Sequence, residues 1–389
     1  MSSGQSAPHV ESLRSYEECQ FLRHDWNEIV TRQSGEIKQL DPTSGFDWAM
    51  ALWQSHLKGL DQDVLILREG THVAGILPLY RFRKRVRGIP CRSVAPFTEL
   101  YGGRTGFLLR EPRSEHLAAL LSHAQWSLKP WDTLFLTVVE GSEYEKLLLD
   151  LAPRKGWHCL ILGKEHSPYI PFLDSWEHHI ASLPKKLRST MRNGEKRLRE
   201  RGELTYRECR SSEEVRGFIS AVEAIERDSW KAEAGTSIAS NLVHDAFHRN
   251  LALRAAADGG FSGHLLLLNG EPIAYIMGLL HEGVFLDLKE SYRSSFREMS
   301  PGHVLKSFAF ARLYERDTQL YDFMGKCEEY KLKWTDKTYC RNTYLVFNNS
   351  LRGWVARWIG RVFTRRTNSS QPVGHSLDGD DSAVGIAMK

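Results

Sequence analysis

The clearest hydrophobic pattern in the chain lies between residues 284 and 334. Val284 to Leu288 is an apolar run that predicts a strand, and a polar loop follows it. Ser300-Pro301-Gly302 then marks a helix start, with Ser300 at the N-cap and Pro301 at the first helical position. From Pro301 to Arg316 the apolar residues Val304, Leu305, Phe308, Phe310 and Leu313 surround most of the helix. That distribution predicts a buried crossover leading to a second strand, Leu320 to Met324, and the whole reads as a βαβ unit.

The junction before this helix carries chemistry. Its unpaired N–H groups and the positive end of the helix dipole face outward beside Arg297, and Gly302 permits close approach of backbone to a ligand. Arg297, Ser300, Pro301, Gly302 and His303 are therefore candidate binders of a diphosphate. A capped helix after a surface loop would show the same pattern without any ligand.

Elsewhere the periods alternate between helix and strand. After a polar leader (1–12), helices are expected from about Tyr16 to Thr31 and from Asp47 to Leu57. Residues 63 to 80 alternate about Glu69-Gly70 as a hairpin, whose second strand runs into a basic arm of Arg81, Arg83, Lys84, Arg85 and Arg87. A strand near Arg92 to Ala95, a helix from Arg113 to Leu128, a strand from Thr133 to Val139, a helix from Glu143 to Leu151 and a strand from His158 to Leu162 follow. His166 to Asp174 reads as an extended connector, and residues 185–201 as a strongly basic helix. The second part continues with a strand at Leu204 to Arg207, a helix ending in Asp228-Ser229-Trp230-Lys231 and another from about Ala239 to Ala257. A hairpin about Asn269-Gly270 joins Gly263–Leu268 to Pro272–Leu280, and Arg341 to Phe347 is expected to complete this second sheet.

Residues 65–77, LILREGTHVAGIL, align with residues 265–277, LLLLNGEPIAYIM, so that Gly70 meets Gly270 and Ala74 meets Ala274. Each hairpin is followed by a loop, a helix and a further strand. An internal duplication accounts for this, and it predicts an α/β fold of mixed sheets in two tandem halves, residues 13–165 and 166–349. The halves are unequal. Where the second has the Arg297 to Gly302 turn, the first has Glu111-Pro112-Arg113-Ser114-Glu115, whose carboxylates repel a diphosphate. A cofactor should therefore belong to the second half.

Ser229-Trp230-Lys231, the Asn269-Gly270 hairpin, Ser300-Pro301-Gly302, Tyr321-Asp322-Phe323 and Tyr330-Lys331-x-x-Trp334 stand in an order and at spacings that resemble the CelD-like acetyltransferases of the GNAT superfamily, found with bacterial exopolysaccharide and cellulose biosynthesis. A more distant similarity is to Fem-type aminoacyl transferases. The resemblance implies two GNAT-like acyltransferase halves, with acetyl-CoA or another acyl-CoA as cosubstrate and no metal. It also implies that the strands flanking the crossover splay apart around the thioester. Glu290 or Asp322 would then be the base, Tyr330 the acid that protonates sulfur, and Lys331 a holder of phosphate or of the acyl carbonyl. Lys186, Arg188, Trp230 and Lys231 are candidate contacts for an acceptor such as a saccharide or a lipid-linked saccharide. Aminoacyl-tRNA as donor and a catalytically dead scaffold remain the alternatives.

Composition narrows the class. Of 389 residues, 41% are hydrophobic and 26% charged, and no run approaches the roughly 18 apolar residues of a membrane span, so a cytoplasmic location is expected. Six scattered cysteines form neither a disulfide framework nor a zinc motif, and Cys327 reads as a buried filler more than a nucleophile. A net charge of +4 does not by itself indicate a nucleic-acid binder. P-loop, HExxH, GxSxG and dinucleotide-binding motifs do not occur. Residues 350–366 predict an amphipathic helix with Leu351, Trp354, Val355 and Trp358 on one face and only arginine as charge. Such a stripe packs on a core or lies in an inner-membrane interface. Residues 367–389 have the composition of a disordered tail.

Overall fold

The computed structural model describes residues 8–32, 42–101, 103–104, 106–126, 130–229 and 241–358. The first half contains β1 (His9–Leu13), α1 (Tyr16–Cys19), α2 (Arg23–Arg32), α3 (Phe46–Gln54), β2 (Asp61–Glu69), β3 (His72–Val86), β4 (Ile89–Pro96) and β5 (Leu108–Leu109). It continues with α4 (Ser114–Trp126), β6 (Thr133–Val139), α5 (Glu143–Arg154) and β7 (His158–Pro171). The second half contains α6 (Trp176–Ser182), α7 (Lys185–Arg199), β8 (Leu204–Cys209), α8 (Ser212–Arg227), a helix Leu242–Ala257, β9 (Phe261–Leu268), β10 (Glu271–His281) and β11 (Val284–Tyr292). The crossover helix (Pro301–Tyr314), β12 (Leu320–Asp322), a short helix Glu329–Leu332, β13 (Thr338–Phe347) and a terminal helix over 351–358 complete it.

The repeated unit is plain in the topology. Both hairpins turn through left-handed residues, Gly70 at φ 63° in one and Asn269 and Gly270 at φ 53° and 81° in the other. β4 pairs in parallel with β6 across α4, and β11 with β12 across the crossover helix.

The closing strands depart from expectation. His158 to Pro171 is one continuous strand rather than a short strand and a connector, and the boundary expected after residue 165 falls inside it. β13, expected to complete the second sheet, is hydrogen-bonded between β6 and β7, from Phe347↔Thr133 to Thr338↔Pro168. The tip of β7 crosses the other way, pairing Tyr169–Pro171 with β12. The described strands thus join into one thirteen-stranded sheet. Side chains seal the junction: Trp48 on α3 packs edge-on and Tyr101 at a tilt against Phe247, with ring centroids 5.3 and 4.8 Å away.

The terminal helix is seated the opposite way from a core-facing stripe. Ser350 caps it, accepting from the Gly353 N–H at 3.0 Å, and Ala356 packs with Val86, Cys91, Leu345 and Phe347. A Cβ on Gly353 would stand 2.9 Å from the carbonyl oxygens of Asn348 and Asp132, so glycine permits this docking. Leu351, Trp354 and Trp358 face outward, 78%, 53% and 43% exposed. The remainder of the expected helix, 359–366, and the tail lie outside the described residues.

Candidate functional site

β11 carries a bulge. Asp287 lies opposite Gly278 and Lys289 opposite Met277, which leaves Leu288 as the extra residue. In a regular strand, residues three apart point to opposite faces; the bulge shifts the phase, and Asp287 and Glu290 both reach the crossover helix. There they meet Lys306, whose Nζ is 3.4 Å from Asp287 Oδ2 and 2.9 Å from Glu290 Oε2. Tyr321 donates its hydroxyl to Asp287 Oδ2 at 2.7 Å. The Lys306 ammonium is buried under aromatic rings, 4.4 Å from the Phe323 centroid, 5.3 Å from Tyr321 and 5.9 Å from Tyr330. Burial pushes the Asp287 carboxyl up to about 6, Glu290 adds to the rise, and Lys306 opposes it. Pairing of β11 with β12 ends at Leu286↔Asp322, so the strands part beside this cluster.

Of these groups, sequence reasoning named Glu290 and Tyr330 and missed Asp287 and Lys306. The signals were a carboxylate inside the apolar run VFLDL and a lysine in a helix apolar around most of its circumference. Tyr330 borders the cluster. Burial first and Glu290 second push its phenol pKa upward, which keeps it protonated.

The other two catalytic candidates are tied into the frame. Asp322 is buried and accepts from Arg104 Nη2 at 2.7 Å, from the Met324 N–H at 2.7 Å and from the Tyr339 hydroxyl at 3.4 Å. It joins the two halves. Lys331 donates to the carbonyls of Met324 at 3.0 Å and Lys326 at 3.3 Å and pairs with Glu328 at 2.9 Å, holding the turn after β12. Cys327 donates to the His166 carbonyl at 3.2 Å, and burial raises its thiol pKa.

The turn before the crossover helix has an unexpected conformation. A 3-10 turn, Ser294–Met299, ends at Ser300, which is left-handed at φ 51° and ψ 49°. Its hydroxyl makes no capping bond, contrary to the side-chain cap expected; its carbonyl instead accepts from the N–H groups of His303 and Val304. A left-handed serine costs about 1–3 kcal/mol, and such strain concentrates at ligand-binding turns. Gly302 has room for a Cβ, 3.5 Å from Tyr292, so internal packing does not demand glycine here. Arg297 is exposed. His303 accepts from the Trp334 indole at 3.2 Å, and burial pulls its pKa down to about 4, so it offers no positive charge to an anion.

The charge comes from α7. Gly194 brings that helix against the turn; a Cβ there would stand 2.4 Å from the Met299 carbonyl oxygen. Lys185, Lys186, Ser189, Thr190, Asn193 and Arg197 then form, with Ser300, an open groove of about 610 Å³ lined by no carboxylate. Lys186 therefore joins the phosphate-turn candidates, while Arg188 lies outside the groove lining, half-buried. Trp230 and Lys231 fall outside the described residues, although the Asp228 carbonyl just before them accepts from the Ser294 N–H at 2.7 Å. Among the described residues no group of histidine, cysteine and acidic side chains is arranged to hold a metal ion.

Among its described residues the first half offers no equivalent. β3 and β4 pair without a register shift, and the turn after β4 places Glu99 on Thr137, whose Oγ1 donates to it at 2.9 Å. Glu111 and Arg113 pair with each other at the surface.

The mixed sheet, with its bulged β11 and a parallel pair that parts beside the cluster, is a GNAT-like fold. Residues 185–332 match the family model of the acetyltransferase (GNAT) domain, and the protein is an acyltransferase. FemX is similar in structure over 90% of this chain and 99% of its own, at 14% identity and a TM-score of 0.59. A conserved protein of unknown function from Bacteroides thetaiotaomicron is similar over 84% of this chain and 97% of its own, at 13% identity and a TM-score of 0.55. A tandem GNAT protein from the clavulanic acid biosynthesis pathway covers 88% of this chain and 99% of its own, at 13% identity and a TM-score of 0.49. No curated protein matches the sequence.

Proposed function

We propose that the protein is an acyl-CoA-dependent N- or O-acyltransferase, with acetyl as the acyl group, acting on a saccharide or lipid-linked saccharide precursor of exopolysaccharide or cell-envelope biosynthesis. The observation that carries the chemistry is the convergence of Asp287, Glu290, Lys306 and Tyr330 where β11 and β12 part. The motif resemblance to CelD-like acetyltransferases supports the acceptor class. Acyl-CoA supplies an activated acyl thioester. Ser300, Gly302 and the carboxylate-free groove along α7 suit its phosphates, with main-chain N–H groups and Lys186 as donors and Arg297 at the rim. Glu290 is the base that takes the proton of the attacking amine or hydroxyl, because it is half-buried and reachable while Asp322 is held by Arg104. Tyr330 returns a proton to the departing sulfur. Lys331 shapes the turn that carries Tyr330. The location is cytoplasmic, peripheral to the inner membrane.

Calorimetry with acetyl-CoA and a transfer assay test this together. Glu290→Gln should bind coenzyme A as the parent does and lose roughly 10²- to 10⁴-fold in transfer. A variant as fast as the parent removes Glu290 from the mechanism. The cations of α7 also suit the phosphates of an aminoacyl-tRNA, and transfer abolished by ribonuclease would select that donor instead.

A further inference from the structure

We propose that the terminal helix and the β3–β4 arm together form a docking surface for an anionic lipid bilayer. It rests on the peripheral location proposed above, not on the transfer chemistry. Leu351, Trp354 and Trp358, at i, i+3 and i+7, project from the face of the helix opposite Gly353 and Ala356, and the two indoles lie 5.7 Å apart. The face is rigidly seated, because Ser350 donates to Asp132 at 2.7 Å and Ala356 is buried on Val86 and Cys91 of the arm. Arg87 Nη1 donates to the Arg357 carbonyl at 3.1 Å, which fixes the arm beside the helix.

The cations complete the surface. Arg83, Lys84, Arg85, Arg87 and Arg352 are exposed, and residues 78–90 and 350–358 contain no acidic side chain. The nearby Asp132 is buried and bound to Arg92 and Ser350. Protein partners favour patches whose cores are depleted of charge, whereas indoles and a leucine fringed by uncompensated cations match headgroups above an acyl boundary. A preformed helix loses little conformational freedom on landing there.

The test uses the full chain with phosphatidylcholine vesicles, with and without phosphatidylglycerol, by cosedimentation and by quenching of tryptophan emission with brominated phospholipid. The parent should bind the anionic vesicles, less so in high salt, and be quenched. Trp354→Phe/Trp358→Phe should still bind and lose the quenching. Leu351→Ser/Trp354→Ser/Trp358→Ser should bind at least tenfold more weakly, and each of Arg83→Gln, Lys84→Gln and Arg85→Gln about fivefold more weakly. Unchanged calorimetric affinity for coenzyme A certifies that each variant is folded. Absence of parental binding to anionic vesicles, persistence of quenching in the double phenylalanine variant, or equal binding by the glutamine variants overturns the surface. A parent that binds vesicles but not coenzyme A would instead overturn the cosubstrate.

Discussion

Lys306 is the residue on which the carboxylates of the site depend. Its ammonium stands between Asp287 and Glu290 beneath aromatic rings, so its removal leaves two acids facing each other in a poorly solvated space. Lys306→Met should destabilise the fold by about 3–5 kcal/mol in urea titration, as loss of one partner from a buried pair does. It should also move the acid limb of the transfer rate to higher pH, because Lys306 opposes the rise that burial and Glu290 give the Asp287 carboxyl. An unshifted limb in a folded variant would detach Lys306 from the chemistry. At this scale the sequence offered Glu290, Tyr330 and the Arg297–Gly302 turn as candidates, since those rest on local spacing. It hid Asp287 and Lys306, because strict alternation puts Asp287 and Glu290 on opposite faces and only the bulge at Leu288 unites them. It hid the left-handed Ser300 as well, a conformation that no local propensity of serine favours.

Among the elements, α7 has the least obvious role in sequence and a definite one in space. Its seven cations read equally as a solvated face or a ligand wall, and periodicity cannot choose between them. Gly194 favours the wall, because only a residue without Cβ lets the helix lie on the Met299 carbonyl and bring Lys186 and Arg197 to Ser300. Lys186→Ala and Arg197→Ala should each weaken coenzyme A binding by about tenfold in calorimetry, the lower end of what a charged hydrogen bond contributes, since both side chains remain partly in water. Arg188→Ala, outside the groove lining, should leave affinity unchanged. Equal effects at all three positions would mean a diffuse field and no groove contact.

Taken whole, the molecule is sensitive to acid. Burial pulls the pKa of His56, His179, His264 and His303 down to about 4 and that of His248 to about 3. The unfolded chain protonates these imidazoles below about 6.5 and the fold does not, so their contribution is lost as pH falls from about 6.5 to 4. Asp47, Glu99 and Asp287, raised to about 6 chiefly by burial, act oppositely, since the fold keeps protons that the unfolded chain releases between about 6 and 4. Five imidazoles outweigh three carboxyls, and scanning calorimetry should give a lower Tm at pH 5 than at pH 7. A higher Tm at pH 5 would mean that the carboxyls dominate.

The duplicated halves were legible from the two hairpins, because turn glycines and alternation are written locally. The partners of β7 and β13 were not, because a strand's alternation says which face is buried and nothing about which edge it joins. That exchange has a consequence for synthesis. The Thr137 and Thr343 hydroxyls, 2.9 Å apart across β6 and β13, are separated by 206 residues of chain. A ribosome adding ~5–20 residues per second needs roughly 10 to 40 s to make that stretch. Throughout it β6 presents an open edge, and β7, already made, is the nearest strand able to occupy β13's place. The nascent protein must therefore either keep that edge covered or evict a misplaced β7 when its final strand emerges.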